Sequence, residues 1–400
     1  MSRVLVLSSH AGQVDRRIVA EVNALVGSGR DVTLVSVPVD LGGAGIDPRV
    51  RVIAPASRDV GAKRAARALP GPLAAAARTL WYRFGAGPLP GLGEFFARTI
   101  PAEPFDVVHC HDLQTLPAGL DFKRLATAPI RVVYDSHELF GYQSFSPVIN
   151  RYWQQVERRH IRAADRVITI NESIAAELVR LYGIPTPAVI YNSYGVSDDA
   201  EPLDRQTFEA HFRATGRGPT FTVLFHGTLT PERNLPNLVR AFASVRDARL
   251  FVLGEGVVKR PLQRLARRHR LGNVFFGDWV PQDRLLSYVR RADLGVIPYQ
   301  GGRLLNNRLA TPNKLFEFLE AGVPICASDL PELRRIVRDG GIGAVYPMDS
   351  PAQIAAALND CIRRCRAGEF HRDRLDAARE RFSWRRQADT LLDLYSTLER

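Results

Sequence analysis

Two doubly wound α/β domains are what this chain predicts, on three observations. It has 400 residues, too many for one ordinary core, so two domains are expected. Short β-branched runs, apolar on both faces as buried parallel strands are, alternate with helical patterns. That alternation ends near Ser193, passes a stretch to Pro219 rich in Asp, Gly, Thr and charge, and then starts again. The expected boundaries are 1–195 for an N-terminal domain and 196–380 for a C-terminal one. Residues 381–400 form a closing helix expected to pack back on the N-terminal domain.

The first half offers strands at VLVLSS from Val4, VTLVSV from Val32, VRVIA from Val50, DVVHCH from Asp106, RVVYDSH from Arg131, RVITI from Arg166 and AVIYN from Ala188. The second half offers FTVLFHG from Phe221, RLFVLGEG from Arg249, NVFFGDW from Asn273, LGVIPY from Leu294, PICASD from Pro324 and GAVYP from Gly343. The opening MSRVLVLSSHAGQ has an apolar run too short for a secretion signal and reads as the first strand. The ending FSWRRQADTLLDLYSTLER is an amphipathic helix that needs a hydrophobic partner. No internal repeat of 20–50 residues is visible.

Composition narrows the class. At 46% hydrophobic and 24% charged, the chain is of the soluble globular type. No run of about 18 apolar residues predicts a spanning helix. Cys110, Cys326, Cys361 and Cys365 are dispersed, and the last two have no zinc or redox spacing. Reduced thiols and a cytoplasmic setting are expected. The net charge of +12 asks for an acidic partner: a phosphorylated ligand, an anionic membrane or nucleic acid. No basic-and-aromatic motif of an RNA-binding strand is present, so nucleic acid is not an expected partner.

The most informative stretch is TPNKLFEFLEAGVPI, Thr311 to Ile325. Thr311 suits an N-cap and Pro312 the first helical position, which puts Asn313 and Lys314 in the first turn. A lysine at the positive end of a helix dipole is misplaced unless an anion lies in front of it. Glu317, one turn on, suits hydroxyls. A diphosphate joined to a ribose has that shape. A surface helix with an ordinary lysine is the alternative.

In FHGTLTPERNLPNL a strand ends at Gly227 and Thr228, and a helix begins near Asn234. Arg233 stands just before it, where a guanidinium suits a diphosphate. Gly254 and Gly256 permit close backbone approach to a ligand. Trp279 and Val280 follow another strand end, with ordinary packing as the alternative for Trp279. In the first half, DVVHCHD places His109 and His111 on one face, with Asp112 after them, and VVYDSHE adds Asp135, Ser136, His137 and Glu138. Two histidines and two acids invite a metal.

Together these pieces resemble the retaining GT-B glycosyltransferases of family 4, also called group 1. The resemblance runs from the first strand and Gly12, through FHGTLTPERNL, VLGEG, FFGDWVP and PNKLFEFLEAGVP, to the final FSW helix. It implies two Rossmann-like doubly wound domains facing a cleft, with acceptor on the first and nucleotide sugar on the second. His137, Arg233 and Lys314 are then the catalytic residues, the two cations neutralising the leaving diphosphate. Gly12, Gly227, Thr228, Gly254, Trp279, Val280, Asn313, Leu315 and Glu317 would bind the donor, a UDP- or GDP-sugar. Asp15, Arg16, His111, Asp112 and Glu138 would meet a hydroxyl acceptor, which in many similar enzymes is lipid-linked. His109 reads as structural. No cofactor and no metal ion is implied.

Glu317 matches the second glutamate of the family's Glu-x7-Glu motif. The first should stand at position 309, where this chain has Leu309. Asn306, Asn307 or backbone groups would then have to serve the transferred sugar. That departure leaves two other readings open: a sugar-nucleotide epimerase or hydrolase of the same fold, and a non-catalytic nucleotide-sugar-binding subunit. Finally, Arg58 to Phe84 carries six basic residues, one acid and three aromatics near its end. It reads either as a segment on the inner face of an anionic membrane or as a solvated helix face.

Overall fold

The computed structural model describes residues 2–10, 12–13, 15–40, 45–54, 88–193, 201–214, 221–302 and 304–399. The basic stretch Arg58 to Phe84 lies outside them. The chain divides into two compact units. One comprises Met1–Tyr194, Leu304–Asn306 and Gln387–Arg400; the other comprises Gly195–Arg303 and Asn307–Arg386.

The first unit holds β1 (Arg3–Ser8), β2 (Gly12–Gln13), β3 (Asp31–Ser36), β4 (Val39–Asp40), β5 (Arg51–Ile53), β6 (Val107–His111), β7 (Arg131–Ser136), β8 (Arg166–Thr169) and β9 (Ala188–Val189). Seven of these form a parallel sheet in the order β5-β3-β1-β6-β7-β8-β9. The two-residue strands β2 and β4 pair with each other, a contact too short to leave a periodic signal in sequence.

The second unit holds β10 (Phe221–His226), β11 (Ala248–Leu253), β12 (Val274–Gly277), β13 (Leu294–Ile297), β14 (Ile325–Ser328) and β15 (Gly343–Tyr346). Their order is β12-β11-β10-β13-β14-β15. In each sheet the strand order reverses once, between β1 and β6 and between β10 and β13. The carboxyl ends of strands at such a switch point are where open α/β sheets bind ligands. Each strand run read from the sequence appears as a strand. Val4 to Leu7, Val132 to Tyr134 and Val223 to Phe225 are fully buried, because helices cover both faces of a parallel sheet.

Two glycines shape the ligand-binding end of the second sheet. A Cβ at Gly295, in β13, would lie 2.6 Å from the Phe318 ring. Its absence lets the helix Asn313–Glu320 press that ring onto the sheet, which sets the height of Lys314 and Glu317. Gly254, with φ +142, comes so close to Gly227 that a Cβ would sit 2.1 Å from the Gly227 carbonyl oxygen.

The last helix, Trp384–Leu398, joins the first unit from Gln387 on. It buries Leu391, Leu394, Tyr395 and Leu398 there. The Gln387 Oε1 accepts from the Tyr191 amide at 2.9 Å, and Arg30 forks onto Glu399 with two 2.8 Å bonds. Cys110, Cys326 and Cys361 are buried free thiols. Among the described residues, no helix is long and apolar enough to cross a membrane.

Candidate active site

At the switch point of the second unit, Gly227 follows β10 with φ +110, and Tyr299 lies two residues past β13. The helix Asn313–Glu320 starts one residue later than expected: Pro312 is the N-cap, at φ −72 and ψ 137, and Thr311 precedes it. Proline's fixed φ suits an extended cap as well as a first helical turn, and its missing N–H is no loss in either place. Lys314 remains in the first turn. It is only 7% exposed. Its Nζ donates to the Tyr299 hydroxyl and lies 4.6 Å from the centre of the Phe225 ring and 4.7 Å from that of Tyr299. Burial, then the like charge of Arg233, pull the Lys314 ammonium well below its ordinary pKa, against the opposing pull of Glu317.

Arg233 ends a 3-10 turn, Pro231–Arg233, ahead of Asn234 in the left-handed conformation at φ +57. Its guanidinium carbon is 4.3 Å from the centre of the Tyr299 ring. Lys314 and Arg233 therefore meet on one aromatic side chain. One helical turn on, the Glu317 carboxylate accepts from Gln282 Nε2 at 2.9 Å and lies 3.5 Å from His226 Nδ1. His226 is held well below its ordinary pKa by burial and by Lys314, so it is neutral near pH 7.

The other donor-side residues are distributed as follows. Thr228 and Asn313 are exposed, Trp279 is 57% exposed beyond β12, and Val280 is buried. Leu315 is fully buried, and its N–H donates to the Pro312 carbonyl at 2.9 Å. Leu309 ends the short helix Leu305–Leu309.

The first unit builds a different cluster at the ends of β6 and β7. Arg17, fully buried, donates from Nε to Asp135 Oδ2 at 2.7 Å and from Nη2 to Asp135 Oδ1 at 3.0 Å. The same Nε is 3.0 Å from Glu21 Oε1. His111 Nδ1 and His137 Nε2 are 3.1 Å apart, and each lies near Asp135 Oδ2, at 3.3 and 3.2 Å. Asp112, in the left-handed conformation at φ +64, brings Oδ1 to 3.6 Å from His137 Nδ1. Burial opposes charge on His137, but Asp112 and Asp135 outweigh it and raise its pKa to about 10. Burial likewise opposes charge on Asp135, yet Arg17 and His137 hold its carboxyl well below the usual range. Burial is what lifts Glu21 to about 8.

Glu21, His109, His111 and Asp135 lie close enough to share a metal ion. The Arg17 guanidinium lies against two of them, Asp135 and Glu21. His109 serves the packing of the last helix, stacking on His111 at 4.4 Å and hydrogen-bonding Tyr395 through Nδ1 at 2.9 Å.

Asp15 caps the helix Arg16–Gly27, accepting from the Arg17 amide at 2.8 Å, with Arg16 half-buried at its first position. Gly12 lies in the short β2 strand. Glu138 accepts from Asn306 Nδ2 at 3.0 Å, and Asn306 Oδ1 accepts from the Leu139 amide at 3.0 Å. Both ends of the Asn306 amide are thus engaged within the first unit. Burial, and then Asp112, raise the Glu138 pKa.

Tyr299, Arg17, Glu21 and Gln282 are site residues that the sequence alone does not single out. Arg17 and Glu21 carry a signal: opposite charges at i and i+4, beside the buried Ile18 and Val22. Tyr299 carries a weaker one, an aromatic at a strand end just before Gly301 and Gly302.

Two doubly wound units, with a cationic site at the switch point of the second, define a GT-B protein. Comparison with known proteins gives the family. Residues 17–196 match the profile of Glycosyltransferase Family 4, and residues 220–364 match that of Glycosyl transferases group 1. The chain belongs to this family. It is 31% identical over 192 residues to a phosphatidyl-myo-inositol mannosyltransferase of Mycobacterium tuberculosis. That alignment spans 44% of this chain and 47% of the relative, about half its length. In structure the chain resembles a sucrose-phosphate synthase of Thermosynechococcus elongatus, with TM-score 0.73, 16% identity and coverage of 100% and 99%. It also resembles Anabaena HepE, solved in complex with UDP, with TM-score 0.70, 15% identity and coverage of 99% and 100%.

Proposed function

We propose that this chain is a retaining glycosyltransferase that moves a sugar from a UDP- or GDP-type donor onto a hydroxyl acceptor without a metal ion. One observation carries the reading: Lys314 and Arg233 converge on Tyr299 at the switch point, with Glu317 one helical turn away. Two adjacent cations suit a diphosphate, and a carboxylate one turn on suits ribose hydroxyls.

In the reaction the bond from the sugar's anomeric carbon to the β-phosphate oxygen breaks, and a bond to the acceptor oxygen forms. Charge develops on the departing phosphate. Arg233, Lys314 and the amides that open the helix Asn313–Glu320 stabilise it. The acceptor's proton passes to the departing phosphate on the same face, so no protein nucleophile is needed. Lys314 sits below its ordinary pKa in the free protein, and an arriving anion favours its charged form. His137, an imidazolium between Asp112 and Asp135, donates to the donor sugar. The acceptor is lipid-linked, and the basic residues of Arg58 to Phe84 bring the enzyme to an anionic membrane surface.

A melting-temperature screen against UDP, GDP and ADP, followed by transfer assays with the stabilising nucleotide's sugars, tests the reading. Hydrolysis of donor without any acceptor would point to an epimerase or hydrolase, and tight binding without turnover to a binding subunit. Activity lost to chelator and restored by manganese would overturn metal independence. Protein that stays unbound to anionic vesicles at low salt would remove the membrane.

A further inference from the structure

The proposed chemistry assigns roles to Lys314 and Arg233 but leaves open what holds two like charges together before a ligand arrives. We propose that Tyr299 is a positioning residue for the donor diphosphate. Its hydroxyl aims the Lys314 ammonium, and its ring face seats the Arg233 guanidinium. This inference rests on the donor site proposed above.

Tyr299 joins the two cations through two different parts of one side chain. The hydroxyl accepts from Lys314 Nζ, and the ring centre lies 4.3 Å from the Arg233 guanidinium carbon. The residue is 6% exposed. It stands past β13, the neighbour of β10 across the switch point, so it reaches the place where Gly227 ends β10. A Cβ at Gly227 would lie 3.5 Å from Lys314 Nζ, which puts that turn against the same ammonium.

A buried ammonium needs an acceptor, and a second cation beside it, the half-buried Arg233, needs negative potential. Phe225 offers Lys314 a ring at 4.6 Å but no oxygen. The Tyr299 phenol supplies both an acceptor, which fixes the direction of one cation, and a ring face, which attracts the other. Burial pushes the Tyr299 hydroxyl up to about 12, so it stays a neutral phenol and does not compete with the phosphate as an anion. Among the described residues, the other titratable groups that act on the pair are Glu317 and His226. His226 is neutral near pH 7, and Glu317 is engaged by Gln282.

The test compares Tyr299→Phe with Tyr299→Leu, read by calorimetric titration of UDP and GDP, by donor kcat and KM, and by melting temperature. Phenylalanine keeps the ring and removes the oxygen. Nucleotide affinity should stay within about threefold of native while kcat falls about tenfold or more, as expected for a misaimed charge. Leucine removes both parts, and nucleotide affinity should fall about tenfold as well. Native kcat in the phenylalanine variant together with native affinity in the leucine variant would overturn the positioning role. If Lys314→Ala is impaired in the same assays, the donor site still stands. Failure of the native protein to bind either nucleotide would overturn the donor site, and the positioning role with it. If the leucine variant melts far below native, the phenylalanine variant, which keeps the ring volume, decides.

Discussion

The cluster at the ends of β6 and β7 in the first unit sets its cations against carboxylates, whereas the switch-point site of the second sets Lys314 and Arg233 against rings. Arg17 is forked by Asp135 and touches Glu21, and His137 stands between Asp112 and Asp135. Lys314 and Arg233 share Tyr299. Glu317 pulls on Lys314, but burial and the like charge of Arg233 outweigh it. A balanced buried network is a structural element, because each charge offsets the desolvation of the next. An unbalanced pair of cations at a strand switch point is a site for an anion.

The sharpest way to break this comparison is to remove one cation from each unit. Arg17→Met leaves Asp135 and Glu21 buried without their guanidinium and should cost about 3–5 kcal/mol of stability in denaturant unfolding. A loss below about 1 kcal/mol would deny the network its structural role. Lys314→Ala and Arg233→Ala should do the reverse. Each should lower transfer by about 10²–10³-fold, with an unchanged or raised melting temperature, since each relieves a like-charge pair. Near-native activity in both would sink the diphosphate assignment.

The pH dependence of stability sharpens the same contrast. The His137 pKa is raised in the fold from 6.5 to about 10. Its contribution is therefore fully present below about pH 6.5 and is lost as pH rises toward 10. Glu21, raised from 4.5 to about 8, is an acid kept neutral by burial, and its ionisation costs stability from about pH 4.5 up to 8. Unfolding free energy should thus decline from about pH 4.5 to about 10. His137→Gln should flatten the part between about 6.5 and 10, and a native-like slope in that variant would contradict the assignment. The smallest effect is expected from Glu317→Ala. A ribose contact acts in ground and transition states alike, so nucleotide affinity should weaken by about tenfold with kcat little changed. A fall in kcat at native affinity would exclude that role.

The strands are legible in sequence because a parallel sheet covered on both faces leaves short runs apolar on both sides, such as VLVLSS and FTVLFH, between turn residues. Lys314 is legible because a lysine in a helix's first turn opposes the dipole. The cap falls one residue away from its expected place because Pro312 satisfies either position. Arg17, Glu21 and Tyr299 escape because their meaning lies in partners distant in sequence: Asp135 is 118 residues from Arg17. Asn306 reads in sequence as a stand-in for the glutamate missing at Leu309, yet its amide is tied to Glu138 and Leu139. That pairing has no local signature.

The most direct measurement is calorimetric titration of UDP and GDP into the native protein and into Lys314→Ala, with melting curves of both. One nucleotide should bind the native protein, the variant should bind it about a hundredfold more weakly, and the variant should melt no lower than native. Native affinity in the variant would contradict the account, because the buried lysine of the second unit would then hold no phosphate.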